Sequence, residues 1–189
     1  RYLLIVLSEN KDMGRKIGSV VKIDALTSSF SGQLDVEAPM DISISPSGKY
    51  LAIAQMSRGA GIKIVNLNSM SVAFEIPGRN KLSWMNEPAW LPDGKKLAYV
   101  DANDRLSIFN LSDGSIEHVT SIPDDHVCYF VGIPKKDLLV YRSGPSDGKA
   151  KMYLVDVPSR SIIKTISRDF NGTSIIIANG KVVASEIGY

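Results

Sequence analysis

A short corner sequence recurs along this chain at nearly constant spacing. Ser45-Pro46-Ser47-Gly48 runs into Lys49-Tyr50-Leu51-Ala52, and Leu91-Pro92-Asp93-Gly94 runs into Lys95-Lys96-Leu97-Ala98. Pro46 and Pro92 are 46 residues apart, and Pro134 follows 42 residues later. Short apolar runs separated by tight turns at this period predict a repeat protein built from stacked four-stranded antiparallel sheets.

Each repeat predicts a strand, a Pro-x-Gly corner and three further strands, because the apolar residues alternate and are bounded by Gly, Pro, Asn and Ser. The repeat units are residues 1–37, 38–84, 85–126, 127–170 and 171–189 of a single domain, 1–189. The first unit matches only the second, third and fourth strands, and the last matches only the first and second. We therefore expect an all-β fold, a β-propeller or propeller segment of about four four-stranded blades, whose chain starts and ends inside a blade.

The predicted third strands end on a small polar residue between apolar neighbours, in Val65-Asn66-Leu67, Phe109-Asn110-Leu111 and Val155-Asp156-Val157. Asn and Asp side chains bond the backbone of a following turn, so we expect turn caps at these positions. The alternative is a ring of ligands.

Composition excludes several classes of protein. The 22 basic and 20 acidic residues give a net charge of +2 without a basic cluster, so nucleic acid is not an expected partner. The single cysteine, Cys128, allows no disulfide within the chain. No apolar stretch approaches the roughly 20 residues that span a bilayer, so we expect no membrane insertion.

The segment Pro88-Ala89-Trp90-Leu91-Pro92-Asp93-Gly94-Lys95-Lys96-Leu97-Ala98 resembles the P-x-W-S-P-D-G-K-x-L-A repeat of TolB-like and WD40-like β-propellers. Residues 38–52 resemble it as well, with Ile44 in place of the tryptophan and Ser47 in place of the aspartate. The resemblance also extends to the propeller domains of prolyl oligopeptidase-type enzymes.

This resemblance implies a non-catalytic scaffold that presents a loop face to a protein or peptide partner. The alternative is the substrate-gating propeller of a prolyl oligopeptidase-type serine peptidase whose catalytic domain is not in this chain. A third possibility is a propeller enzyme with a metal in its channel, held by Asp41 and Glu87. The resemblance implies a periplasmic or extracellular location, with the cytoplasm as the alternative. The incomplete first and last units lead us to expect further blades from a longer or another chain.

The loop face of a propeller is formed by the loops after the second strands and by the beginnings of the first strands. We expect those loops at residues 8–16, 55–61, 101–105 and 142–149. Aligned on the corner proline, Asp41, Glu87, Tyr129 and Thr173 share one position, while Arg58, Arg105 and Arg142 are assigned to equivalent loops. The expected interaction face consists of Asp41, Arg58, Glu87, Asp101, Arg105, Tyr129 and Arg142. The alternative interpretation is a solvated rim of surface charges.

Two motifs are interpreted as ordinary turns. Gly144-Pro145-Ser146-Asp147-Gly148 matches the G-x-S-x-G pattern of a nucleophile elbow, but no helix follows it, so we expect a hairpin loop. Asp101-Ala102-Asn103-Asp104 begins like a calcium loop but lacks the glycine and distal glutamate that such loops need. We therefore expect no catalytic residue, metal or cofactor in this chain.

Overall fold

The computed structural model describes residues 2–11, 15–55, 61–78, 88–101, 103, 105–121, 127–132, 138–143, 151–167, 173–178 and 181–186. These residues form seventeen β-strands and no helix, so the predicted all-β class is confirmed. All the strand pairs among them are antiparallel. A helix able to cross a membrane is not found in this part of the chain.

The strands form five sheets, in each of which chain neighbours are also sheet neighbours. Sheet 1 contains β1 (Tyr2–Lys11), β2 (Arg15–Asp24) and β3 (Phe30–Glu37). Sheet 2 contains β4 (Pro39–Ile44), β5 (Tyr50–Gln55), β6 (Ile62–Asn66) and β7 (Ser71–Ile76). Sheet 3 contains β8 (Ala89–Trp90), β9 (Lys96–Val100), β10 (Arg105–Asn110) and β11 (Ile116–Ser121). Sheet 4 contains β12 (Val127–Gly132), β13 (Leu138–Ser143), β14 (Lys151–Asp156) and β15 (Ser161–Ser167), and sheet 5 contains β16 (Thr173–Ala178) and β17 (Lys181–Glu186).

The chain divides into two compact units. Sheets 1 and 2 belong to the unit formed by Arg1–Ile44 and Gly48–Ser83, and sheets 3, 4 and 5 belong to the unit formed by Ser45–Ser47 and Trp84–Tyr189. The assignment of residues 1–189 to one domain of five repeat units stays a prediction.

The core of the first unit lies between sheets 1 and 2. Its buried residues are Val20, Val36, Leu51, Ile53, Val65 and Leu67, and Leu4, Val6, Leu34 and Met70 pack against them. Lys22 is only 6% exposed on the same face of sheet 1. Its Nζ donates to the carbonyl oxygen of Leu67 at 2.7 Å and lies 4.0 Å from the centroid of the Tyr2 ring. A buried ammonium is therefore stabilised by a carbonyl and an aromatic face.

The core of the second unit lies between sheets 3 and 4. Its buried residues are Ala89, Leu91, Ala98, Val100, Leu106, Ile108 and Val119 from sheet 3 and its corner, and Leu139, Tyr153 and Val155 from sheet 4. In both units, therefore, one sheet buries a face of aliphatic side chains against the sheet that precedes it in the chain.

The Pro-x-Gly corners join the first and second strands of sheets 2 and 3. Gly48 and Gly94 have φ angles of 69° and 64°, a conformation that residues with a Cβ resist. In the second corner, Asp93 Oδ1 accepts bonds from the backbone N–H groups of Lys95 at 2.8 Å and Lys96 at 3.1 Å. The glycine and aspartate of the corner sequence are therefore explained by the backbone conformation and the backbone N–H groups of the turn.

A second repeated turn joins the last two strands of sheets 1 to 4. It begins with a residue whose side-chain oxygen accepts a bond from the backbone N–H two or three residues later: Asp24, Asn66, Asn110 and Asp156. The predicted turn caps are confirmed at the last three positions, and Asp24 adds a fourth. The fifth residue of each turn is left-handed: Ser28, Met70, Gly114 and Arg160, with φ between 50° and 72°.

Two of these left-handed residues reach the preceding sheet. The Met70 side chain lies over Gly32 on β3, where an added Cβ would come 2.7 Å from Met70 Cγ. The guanidinium of Arg160 forms an ion pair with Glu117 on β11. Gly32 and Glu117 occupy equivalent positions in their sheets. Gly32 lies opposite Lys22, two residues before the cap Asp24. Glu117 lies opposite Ile108, two residues before the cap Asn110. At two turns, the side chain at the strained position thus contacts a neighbouring sheet.

Gly114 lacks such a contact, because none of the described residues lies within 4 Å of an added Cβ. We expect Gly114→Ala to lower the free energy of unfolding by about 1 kcal/mol, because the left-handed backbone disfavours alanine. Gly114→Asn should cost less, since asparagine tolerates this conformation. Chemical denaturation of the three proteins provides the measurement, and equal stability of the Ala and Gly forms would contradict the backbone explanation.

At position 18 on β2, glycine is required for a different reason, because other atoms lie too close to leave room for a side chain. An added Cβ would overlap the Pro39 ring and come 2.6 Å from the carbonyl oxygen of Leu7. We expect Gly18→Ala to destabilise the protein by roughly 1–3 kcal/mol, because neither a proline ring nor backbone can move aside easily. The matched control is Gly32→Ala, which meets only the flexible Met70 side chain and should cost less. Urea denaturation distinguishes the two variants, and an equal loss would show that crowding at Gly18 is unimportant.

Candidate functional site

Asp101 closes the hairpin between β9 and β10. Its backbone N–H donates to the Arg105 carbonyl oxygen at 2.9 Å, and its Oδ1 accepts the N–H groups of Asn103 at 2.8 Å and Arg105 at 3.1 Å. Its Oδ2 accepts bonds from Arg105 Nε and Ser107 Oγ, each at 3.0 Å. Arg105 Nη2 lies 2.9 Å from the same oxygen, so that two nitrogens of the guanidinium converge on one carboxylate oxygen in an ion pair. The predicted connecting turn is therefore held by one carboxylate.

The electrostatics of this hairpin keep Asp101 ionised. Burial raises the pKa of the Asp101 carboxyl, but the hydrogen bonds from Arg105, Asn103 and Ser107 together outweigh burial and leave the pKa below its ordinary value. Burial, followed by the negative charge of Asp101, raises the pKa of Tyr99 to about 12. Tyr99 therefore stays a neutral phenol beside a charged carboxylate at neutral pH.

Arg105 is the exposed member of this cluster. Its side chain is 41% exposed, whereas that of Asp101 is 12% exposed. Asp101 fixes one edge of the planar guanidinium, which carries five N–H donors in all. The hairpin thus presents a cation of defined orientation to solvent, which is suited to a carboxylate or carbonyl acceptor.

Asp41 on β4 has a different environment. Its Oδ2 is buried and has no hydrogen-bond partner among the residues that the structure describes. Burial raises the pKa of the Asp41 carboxyl above its ordinary value. A buried acceptor without a donor costs roughly 1–3 kcal/mol, so this carboxyl is a local source of instability.

A β-bulge places Asp41 in this position. The register between β4 and β5 shifts between Pro39 and Asp41, so that Asp41 lies opposite Ala54. The register between β12 and β13 shifts in the same way between Val127 and Tyr129. Bulges redirect the side chain that follows them. Asp41 and Tyr129, which the sequence aligned on the corner proline, therefore share a backbone irregularity as well.

The predicted loops need two corrections. Arg142 lies inside β13, opposite Tyr129 on β12, and not in a loop, whereas Arg105 is the first residue of β10. The two arginines thus belong to a second and a third strand and are not equivalent. The loop predicted at residues 8–16 is also shorter, because the pairing of β1 with β2 continues as far as Lys11, which lies opposite Arg15. Hairpin pairing continues through polar residues that carry no strand signal in the sequence.

The structure therefore groups the predicted residues in pairs. Asp101 and Arg105 form an ion pair, and Tyr129 and Arg142 are cross-strand neighbours. Asp41 belongs to the other unit. Arg58, Glu87 and the predicted hairpin loop at 144–148 lie outside the described residues. Within the ranges that the structure does describe, no group of three or more His, Cys, Asp or Glu residues is placed to hold a metal ion.

Sequence reasoning missed one residue of this chemistry, Ser107, and one property of a predicted residue, the unpaired oxygen of Asp41. Ser107 is fully buried and bonds to Asp101, and its signal was a lone hydroxyl in the apolar run Leu106-Ser107-Ile108-Phe109. The unpaired oxygen of Asp41 had no signal, because the sequence does not reveal which acceptors lack a donor.

The two aspartates predict opposite pH dependences. The Asp41 pKa is raised in the folded protein, so its contribution to stability is present below the ordinary pKa of 3.8 and is lost as pH rises through the folded value. The Asp101 pKa is lowered, so its contribution is present above 3.8 and is lost as pH falls through the folded value. At pH 7 we therefore expect Asp41→Asn to stabilise the protein and Asp101→Asn to destabilise it.

Thermal or urea unfolding between pH 3 and 8 measures both variants against the parent protein. The gain from Asp41→Asn should fade as pH falls to 3.8, and the loss from Asp101→Asn should fade below 3.8. A destabilised Asp41→Asn protein at pH 7 would mean that this carboxylate is paired after all.

Comparison with known proteins identifies the fold. No model of a known protein family matches the sequence, and no curated protein matches it. The crystal structure of TolB from Acinetobacter baumannii aligns with 90% of this chain at 15% identity and a TM-score of 0.58, over 47% of its own length. The RRP9 WD40 repeats align with 89% of this chain at 17% identity and a TM-score of 0.62, over 54% of their length.

The structure of U3-55K is similar as well, with 16% identity, a TM-score of 0.60, and coverage of 87% of this chain and 54% of that protein. The chain thus spans about half the length of each of these structures. Similarity at this level of identity concerns the fold and carries no function with it. Together with the five antiparallel sheets and their repeated turns, it shows that this chain has a TolB-like and WD40-like β-propeller fold.

Proposed function

We propose that this chain is a non-catalytic β-propeller scaffold that binds a protein or peptide partner. The observation that carries the proposal is the Arg105 guanidinium, which Asp101 holds in a fixed orientation while 41% of the side chain stays exposed. Arginine is enriched at protein interfaces, and its planar fork loses little entropy when it is already oriented. A partner carboxylate or backbone carbonyl is the matching acceptor.

Asp41 supports the proposal from the other unit. Its unpaired oxygen destabilises the folded protein without any compensating contact in the described residues. Proteins retain such local costs mainly where function requires them. We accordingly keep Asp41 as a proposed contact residue, together with Tyr129, Arg142, Arg58 and Glu87.

Selection from a random-peptide display library tests this function with a defined probe. We expect the purified chain to select peptides rich in Asp or Glu, and Arg105→Ala to weaken their binding by tenfold or more, roughly the loss of an interface hot spot. Arg105→Lys should recover little, because lysine keeps the charge but not the fork. Fluorescence anisotropy with a labelled selected peptide provides the affinities.

The matched control is Lys164→Ala, which removes an exposed charge from β15. This variant should bind the selected peptides like the parent chain. Peptides whose affinity is unchanged by Arg105→Ala would place binding elsewhere and contradict the role of this hairpin. Unfolding curves of each variant separate lost binding from lost structure.

Other expectations from the sequence stay predictions. They include the substrate-gating propeller of a serine peptidase, the periplasmic or extracellular location, and further blades from polypeptide outside this chain.

A further inference from the structure

Met70 connects the two sheets of the first unit. It is the left-handed fifth residue of the turn between β6 and β7, with a φ angle of 50°. Its side chain packs against the buried cluster between the sheets, which includes Val20 of sheet 1 and Leu51 of sheet 2. A turn residue of sheet 2 therefore forms part of the core that holds the two sheets together.

Gly32 on β3 leaves the space that the Met70 side chain fills. An added Cβ at Gly32 would come 2.7 Å from Met70 Cγ and 3.8 Å from Met70 Sδ. The Met70 sulfur thus lies close to β3, at a position where any other residue type would place its own side chain. An atom added to this sulfur must therefore fit beside sheet 1.

Solvent access distinguishes Met70 from Met152, the other methionine whose side chain the structure describes. Met152 on β14 is buried and only 8% exposed, whereas Met70 is partly buried. A dissolved oxidant has to touch the sulfur in order to react, so we expect it to reach Met70 before Met152. Met70 thus combines access to solvent with a contact between two sheets.

We propose that Met70 is a site of reversible oxidation, at which a peroxide converts the thioether into a sulfoxide and loosens the packing of sheet 2 on sheet 1. The sulfur attacks one oxygen of hydrogen peroxide, so that an S–O bond forms and the O–O bond breaks. The sulfur loses two electrons, the other oxygen leaves as hydroxide, and the proton of the transferred oxygen passes to it, which gives sulfoxide and water. A methionine sulfoxide reductase reverses the change. This site does not depend on the proposed function.

The effect on packing follows from the polarity of the product. The cluster beside Met70 consists of aliphatic side chains, and Leu4, Val6 and Leu34 of sheet 1 pack against it as well. A sulfoxide oxygen held there loses hydrogen bonds to water, and a side chain that turns outward to keep them leaves a gap in the cluster. Both arrangements weaken the contact between the sheets, so the first unit should open more often than in the reduced chain.

Graded treatment of the purified chain with hydrogen peroxide tests the site. Peptide mass spectrometry should show Met70 oxidised roughly tenfold faster than Met152, because a buried sulfur reacts only when the structure opens. In the oxidised chain, the amides of β2 and β5 should exchange with solvent roughly tenfold faster, while those of β10 and β14 in the second unit should be unchanged. Treatment with a methionine sulfoxide reductase should restore the original exchange rates.

The matched control is Met70→Leu, which keeps an apolar side chain of similar size but has no sulfur to oxidise. This variant retains every other methionine, so its amides should exchange at the same rate before and after peroxide. A second variant, Met70→Gln, places a polar group at the same position. It should speed exchange in β2 and β5 without any oxidant.

Three results would overturn the proposal. The first is oxidation of Met70 no faster than that of Met152. The second is complete formation of the Met70 sulfoxide with unchanged exchange in the first unit. The third is an oxidised Met70→Leu chain that loses as much protection as the oxidised parent, since another methionine would then be responsible.

Discussion

Packing of one sheet against another within each unit, sheet 2 on sheet 1 and sheet 4 on sheet 3, is the interaction on which the described structure depends. In the first unit Leu51, Ile53 and Val65 of sheet 2 lie against Val20 and Val36 of sheet 1. In the second unit Leu139, Tyr153 and Val155 of sheet 4 lie against the aliphatic face of sheet 3. A small antiparallel sheet is marginal by itself, so each one requires the apolar face of its neighbour.

The polar residues of the repeat serve this packing by closing turns locally. The caps Asn66, Asn110 and Asp156 satisfy backbone donors within their own turns and leave the strand faces free for aliphatic side chains. Asp101 does the same for its hairpin but also holds Arg105. A turn residue and a candidate binding residue are therefore coupled, because the carboxylate that closes the hairpin also orients the exposed cation.

The sequence predicted most of the strands and their pairing, but it did not predict where several strands end. The corner sequences around Pro46 and Pro92 and the alternating apolar residues predicted the strands and their order. The ends differ where pairing extends through polar residues, as from Ser8 to Lys11 on β1. Arg142 was placed in a loop for the same reason, because a charged residue two positions before the Gly144-Pro145 pair gives no strand signal. Backbone hydrogen bonds do not depend on the side chain, so they continue beyond the apolar pattern.

By itself, the sequence determined the repeat, its corners and the residues that cap its turns, because Pro, Gly, Asn and Asp act through their own backbone. Only the tertiary structure decided which polar groups are paired. It gave Asp101 a set of donors, whereas Asp41 has a buried oxygen without a donor in the described part of the chain. Burial and pairing depend on residues distant in the chain, and a local sequence pattern cannot specify them.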